Sequence, residues 1–101
     1  MTPPAILHDT KRIIGANAEL LALFRCELVD MLDGDLLQGI IRDDMRQLVK
    51  LRMETIRERG ELPARIFAFL RHDGTAFQAE VKTTRLYGET WQTEFKYLSE
   101  Y

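Results

Sequence analysis

Hydrophobic and polar positions change their spacing near residue 60. Before it, Met45, Leu48, Val49, Met53 and Ile56 recur at helical intervals and predict an amphipathic helix over residues 44–58. Arg46, Gln47, Lys50, Glu54, Arg57 and Glu58 fall mostly on its other side. Asp43 is placed to cap the start of this helix and Gly60 to end it. At about 1.5 Å per residue the helix would be roughly 22 Å long, enough to lie across a small sheet. After residue 63 the period becomes two. Phe77, Ala79, Val81 and Thr83 alternate with Gln78, Glu80, Lys82 and Thr84. Trp91, Thr93, Phe95 and Tyr97 alternate with Thr90, Gln92, Glu94 and Lys96. Together with "PARIFAFLR" these segments predict three antiparallel strands with one buried face. Asp73-Gly74 and Tyr87-Gly88 mark the links, and Asp-Gly suits a two-residue type I′ turn.

The start of the chain is more broken. "AILH" and "RIIGA" predict two short strands about a turn at "DTK". Asn17 is an N-cap for "AELLALF", where Leu20, Leu21 and Phe24 share a face. "ELVDML", stopped by Asp33-Gly34, and "DLLQGII", interrupted by Gly39, read as further short helical pieces. Two strands, several helices and three strands make an α+β domain.

Composition narrows the function classes. A chain of 101 residues holds one core, and 46% apolar with 30% charged residues is an ordinary globular balance. The net charge of −2, with no basic stripe, argues against nucleic acid. Cys26 is the single cysteine, so no internal disulfide forms and a reducing compartment is expected. No stretch approaches the roughly 20 apolar residues of a membrane span. Met-Thr-Pro-Pro lacks the features of a signal peptide, so the expected location is cytoplasmic, without direct membrane contact.

Catalytic constellations are absent from the pattern. Ser99 is the only serine and lies far down the chain. Cys26 follows an apolar helix and reads as a buried, inert thiol rather than a nucleophile paired with His8 or His72. His8 reads as a surface or edge residue and His72 as solvated. Asp43-Asp44 suit a helix start, and no metal-ligand spacing occurs. The expectation is no enzymatic activity.

Five segments taken in order carry a family resemblance. They are "RIIGANAELLALF", "ELVDML", "IIRDDM" ahead of the long helix, "RERGE" at its close, and the hairpin "LRHDGTAFQAEV". In this order and spacing, over about residues 5–99, the chain resembles a PAS domain, the sensory module of bacterial signalling proteins. Three departures stand out: Arg25-Cys26 replace the usual Gly and aromatic, Asp33 stands where a Gly often follows the second helix, and "YLSEY" lacks the usual Asp-Ile-Thr. The resemblance implies a five-stranded antiparallel sheet with helices on one face, forming a single domain over residues 1–101 excised from a larger signalling protein. It implies regulation of a fused or associated output, such as a two-component histidine kinase, a diguanylate cyclase or a transcription regulator. Small-ligand binding, homodimerisation or both would carry the signal. The alternative is a ligand-free dimerisation scaffold, with a flavin-binding redox sensor and a small α+β enzyme behind it.

Cofactors follow from the same resemblance. Haem members place an axial His on the long helix, and residues 44–59 hold none, which disfavours His-ligated haem. Photoactive members carry a Cys on a middle helix, and "DLLQGIIR" has none, which disfavours covalent-adduct flavin. A non-covalent flavin stays open, with Trp91 stacking and Asn17 as a polar contact, as does a small organic ligand. Pocket candidates are Leu48, Met53 and Ile56 on the helix and Phe69, Val81, Thr83, Trp91 and Thr93 on the sheet. The hydroxyls of Thr83 and Thr93 need partners if buried, either a ligand or water or the backbone. "PARIFAFLR" is apolar on both faces, so Phe67, Leu86 and Tyr97 are the candidates for an outward dimer interface.

Overall fold

A computed structural model describes residues 2–9, 12–32, 41 and 45–101. Its elements are β1 (Ala5–His8), β2 (Ile13–Ala16), α1 (Ala18–Phe24), α2 (Leu28–Leu32), α3 (Arg46–Arg59), β3 (Glu61–Leu70), β4 (Ala76–Tyr87) and β5 (Thr90–Glu100). The five strands form one antiparallel sheet in the order β2-β1-β5-β4-β3. The α+β architecture expected from the alternation is therefore the one observed. The first strand is closed against the last, with Ile6 opposite Thr93 and His8 opposite Trp91. None of the helices is long and apolar enough to cross a membrane, among the described residues.

Period-two patterning places the core. Phe77, Ala79, Val81 and Thr83 on β4 are buried, as are Trp91, Thr93 and Phe95 on β5. From the helical side, Val49, Met53 and Ile56 of α3 are buried, while Met45 and Leu48 are only partly so. Phe24 of α1 meets Phe77 and Phe95 edge-on, with ring centroids 5.1 and 5.7 Å away. Such edge-to-face contacts let aromatic rings fill space at favourable geometry.

Asn17 does more than cap a helix. Its Oδ1 accepts from the N–H of Leu20 at 2.9 Å and of Ala5 at 3.1 Å, and its Nδ2 donates to the Pro3 carbonyl at 2.8 Å. One side chain thus ties the first turn of α1 to the start of β1. These bonds use both lone pairs of Oδ1 and one of the two Nδ2 protons, so the side chain serves the fold first.

Several local expectations are corrected. Helix α3 begins at Arg46, and Met45 occupies the cap position with no side-chain cap bond. Asp43 and Asp44 lie outside the described residues, as do Thr10, Lys11, Asp33-Gly34 and residues 35–40 of "DLLQGII". Gly60 ends α3 as expected, at φ +81°. The β3–β4 link is a three-residue loop rather than a two-residue type I′ turn. Arg71 N–H donates to Thr75 O at 2.8 Å, and Gly74 N–H closes on Arg71 O at 3.1 Å. Only Gly74 takes a positive φ there, +90°, so Asp73 keeps ordinary backbone angles. The Asp73 carboxylate instead accepts from Thr75 N–H and Oγ1 at 2.9 and 2.6 Å, which locks the loop.

Candidate functional site

A small cavity of about 30 Å³ lies between α3 and the inner face of the sheet. Val49 and Met53 of α3 and Phe67, Phe69, Val81 and Phe95 of the sheet supply apolar walls. Its volume matches roughly two buried waters, at about 10–15 Å³ each. One edge is polar, and His8, Thr93 and Thr83 make it.

The register dictates this edge. Thr83 lies opposite Thr93 across β4 and β5, and β1 brings His8 alongside Trp91, two residues from Thr93. His8 Nδ1 sits 2.9 Å from the Asp9 carbonyl, which only accepts, so Nδ1 carries the proton. Nε2 of the neutral ring then accepts from the Thr93 hydroxyl at 2.7 Å. The Thr93 oxygen in turn accepts from the Thr83 hydroxyl at 2.8 Å. Burial pushes the His8 pKa below its ordinary value, against the opposing pull of the Asp9 carbonyl and carboxylate. Both threonine hydroxyl protons are committed within the chain, and what this edge offers the cavity is a hydrogen-bond acceptor; Arg52 lines the cavity as well. A guest with an O–H or N–H on a small apolar body complements the edge.

Trp91 adjoins the same edge. Its ring stacks on His8 at a centroid distance of 6.5 Å, and the Arg85 guanidinium lies 5.6 Å from its centroid. The indole Nε1 is buried and has no hydrogen-bond partner among the described residues. Among the described residues no group of three or more His, Cys, Asp or Glu is placed to hold a metal.

Known structures share this architecture. A PAS domain from Colwellia psychrerythraea superposes with a TM-score of 0.83 at 13% identity, over 95% of this chain and 86% of that one. The PAS domain of a LuxR-family transcriptional regulator from Burkholderia thailandensis, solved in complex with ethanol, gives 0.72 at 21% identity, over 92% and 88%. A PAS domain from a two-component sensor histidine kinase gives 0.78 at 15%, over 95% and 85%. The chain has the PAS fold. No family model and no curated protein matches it in sequence.

Within this PAS fold the pocket candidates divide. Met53, Phe69, Val81, Thr83 and Thr93 line the core cavity. Ile56 and Trp91 are wholly buried but pack outside its walls, and Leu48 borders a different, surface cleft. The dimer candidates divide as well. Phe67 is 2% exposed and forms a cavity wall, so it does not face outward. Tyr97 is half-exposed but keeps the parity of Phe95; it packs on Phe77 and donates its hydroxyl to Glu100 at 2.8 Å. Leu86 is exposed, at a break in the β4–β5 register. On the outer face, Ile66 is exposed at the margin, while the paired residues Glu80 and Lys96, and Lys82 and Glu94, place opposite charges side by side.

Two residues were misjudged or missed by the sequence pattern. His8 is 1% exposed, not at a surface or edge, because β5 flanks its strand on one side and β2 on the other. Arg71 carries no signal in the sequence pattern, yet its side chain is buried. It makes a two-pronged ion pair with Glu100 at 2.5 and 2.9 Å, donates Nε to the Leu23 carbonyl at 2.9 Å, and lies 4.6 Å from the Phe77 ring centroid. The guanidinium holds the Glu100 carboxyl down to about 2, with help from the Tyr97 hydroxyl. Cys26 is half-buried, and burial, with the charge of Asp30, raises its thiol pKa, the opposite of an activated nucleophile.

Proposed function

We propose that this chain is a sensory domain whose core cavity takes a small hydrogen-bond-donating molecule and reports its presence to a fused or associated signalling output. The output would be a histidine kinase, a diguanylate cyclase or a transcription regulator, and the role regulatory rather than catalytic. The observation that carries this reading is the acceptor edge of Thr83, Thr93 and His8 set in walls that are apolar apart from Arg52. Support comes from the relative with ethanol bound and from the one taken from a sensor histidine kinase. A guest that prefers one packing of α3 on the sheet shifts the population toward it. The cavity's size selects guests of a few heavy atoms; a flavin or haem needs a pocket of about 300 Å³ or more.

Methyl NMR with ethanol as the probe tests this. Saturable shifts are expected at Met53 and Val81, and Thr83→Val should weaken them about three- to tenfold by removing one neutral hydrogen bond. Shifts that never saturate, or that leave these two methyls unmoved, would sink the reading.

The small volume also favours a second reading, a ligand-free homodimerisation module within a larger protein. The exposed Ile66 and Leu86 and the complementary charges of the outer face would then meet a second copy. Native mass spectrometry separates the two readings. Bound mass supports the sensor, a clean dimer supports the scaffold, and a strict monomer at high concentration removes the scaffold.

A further inference from the structure

A second concavity, about 320 Å³, opens at the surface between α3 and the start of β3. Helical spacing builds one wall, since Leu48, Leu51, Arg52, Thr55 and Arg59 repeat at three- and four-residue steps along one side of α3. The opposite wall comes from a break in β3. The register shifts between Leu62 and Arg65, which leaves Pro63 and Ala64 out of the regular pairing at an edge of the sheet. Both residues line the cleft, and so does Arg65.

Three guanidiniums therefore share a concavity whose floor is Leu48, Leu51, Leu62 and Pro63. Arg52 donates to the Pro63 carbonyl at 2.9 Å, which fixes it across the gap. Arg52 and Arg65 both approach the Phe67 ring, at 5.5 and 5.8 Å from its centroid. Their charges oppose one another: burial lowers the Arg52 pKa, and Arg65 lowers it further. No ion pair to a carboxylate engages Arg52, Arg59 or Arg65 among the described residues. Glu58 and Glu61 adjoin Arg59 and Gly60 in sequence, but neither lines the cleft. Like charges gathered over an apolar floor without a counter-ion are relieved by an anion.

We propose that this cleft binds a small organic anion, a carboxylate or a phosphate monoester, with its charge on Arg59 and Arg65 beside Arg52 and its apolar part on Leu48, Leu51 and Pro63. The site is separate from the core cavity and stands whether or not that cavity takes a guest. Arg52 borders both, so a bound anion sits one side chain away from the sensory core.

Calorimetric titration of the whole chain at low salt, with benzoate, phenyl phosphate and neutral benzyl alcohol as probes, tests the proposal. At least one of the two anions should bind, at least about tenfold more tightly than benzyl alcohol, and the better of them identifies the headgroup. The double variant Arg59→Gln/Arg65→Gln should lose about tenfold or more. Both side chains are exposed and make no hydrogen bond to the backbone among the described residues, so the fold should persist. On the unmodified protein, amide shifts with the bound anion should centre on Leu62, Ala64 and Arg65. Equal affinity for the alcohol, unchanged affinity in the double variant, or shifts centred elsewhere would each overturn the assignment.

Discussion

Strand β5 carries two polar systems on its helix-facing side, and they are built in opposite ways. Near its start, Thr93 joins His8 and Thr83 in a buried, neutral chain. At its end, Glu100 joins Arg71, Tyr97 and Arg25 in a charged cluster open to solvent on the carboxylate side. Burial explains the difference. A charge at the first position would lose its hydration for hydroxyls, one carbonyl and the pull of the Asp9 carboxylate, and burial outweighs these, so the neutral imidazole is favoured. At the second, the Arg71 guanidinium is buried but bonded on several sides, while Glu100 keeps about half its surface in water.

The largest break in this comparison comes from Arg71. Arg71→Ala should cost about 2–4 kcal/mol, since it removes the ion pair, the bond to Leu23 and the packing on Phe77 together. Urea unfolding measures it, and a loss below about 1 kcal/mol would mean that the cluster is ornamental. A smaller effect is expected from His8→Phe, about 1–3 kcal/mol, because the Thr93 hydroxyl then faces an apolar ring with no acceptor. A variant as stable as the parent would show that Thr93 finds another partner without difficulty.

The pH dependence of stability gives the finest separation. The folded pKa of His8 lies below its ordinary 6.5, so as pH falls the unfolded chain takes up that proton first. Stability from this group is complete above about 6.5 and declines as pH drops toward the folded value. Glu100 is held at about 2 against an ordinary 4.5, so its contribution is complete above 4.5 and is lost between 4.5 and about 2. Urea midpoints measured across pH should therefore show two acid-side declines. His8→Phe should erase the upper one and Glu100→Gln should shrink the lower. A single decline untouched by His8→Phe would refute the neutral chain.

Much of this molecule was legible in its amino acids, for a physical reason. Where one face of a long element meets the core, its period is written plainly, as in Phe77, Ala79, Val81 and Thr83 or in Val49, Met53 and Ile56. Asn17 was legible because capping is local. His8 was not, since its partner stands 85 residues away and a four-residue strand is too short to declare which face is wet. Phe67 was misplaced because its strand is apolar on both sides and a register break precedes it. The hairpin loop was misread because Asp-Gly serves more than one turn, and only the spacing of Arg71 and Thr75 decides among them.

The bulge at Pro63 has a bearing on how such sheets stay solitary. An unpaired rim with a long straight row of free amides and carbonyls invites a stranger to stack on it, and the outcome is a fibre. Here one rim is kinked and lacks an amide at the proline, and the other is a strand of four residues. Any lasting union of two copies through the sheet is thereby steered toward its broad side, away from open-ended growth.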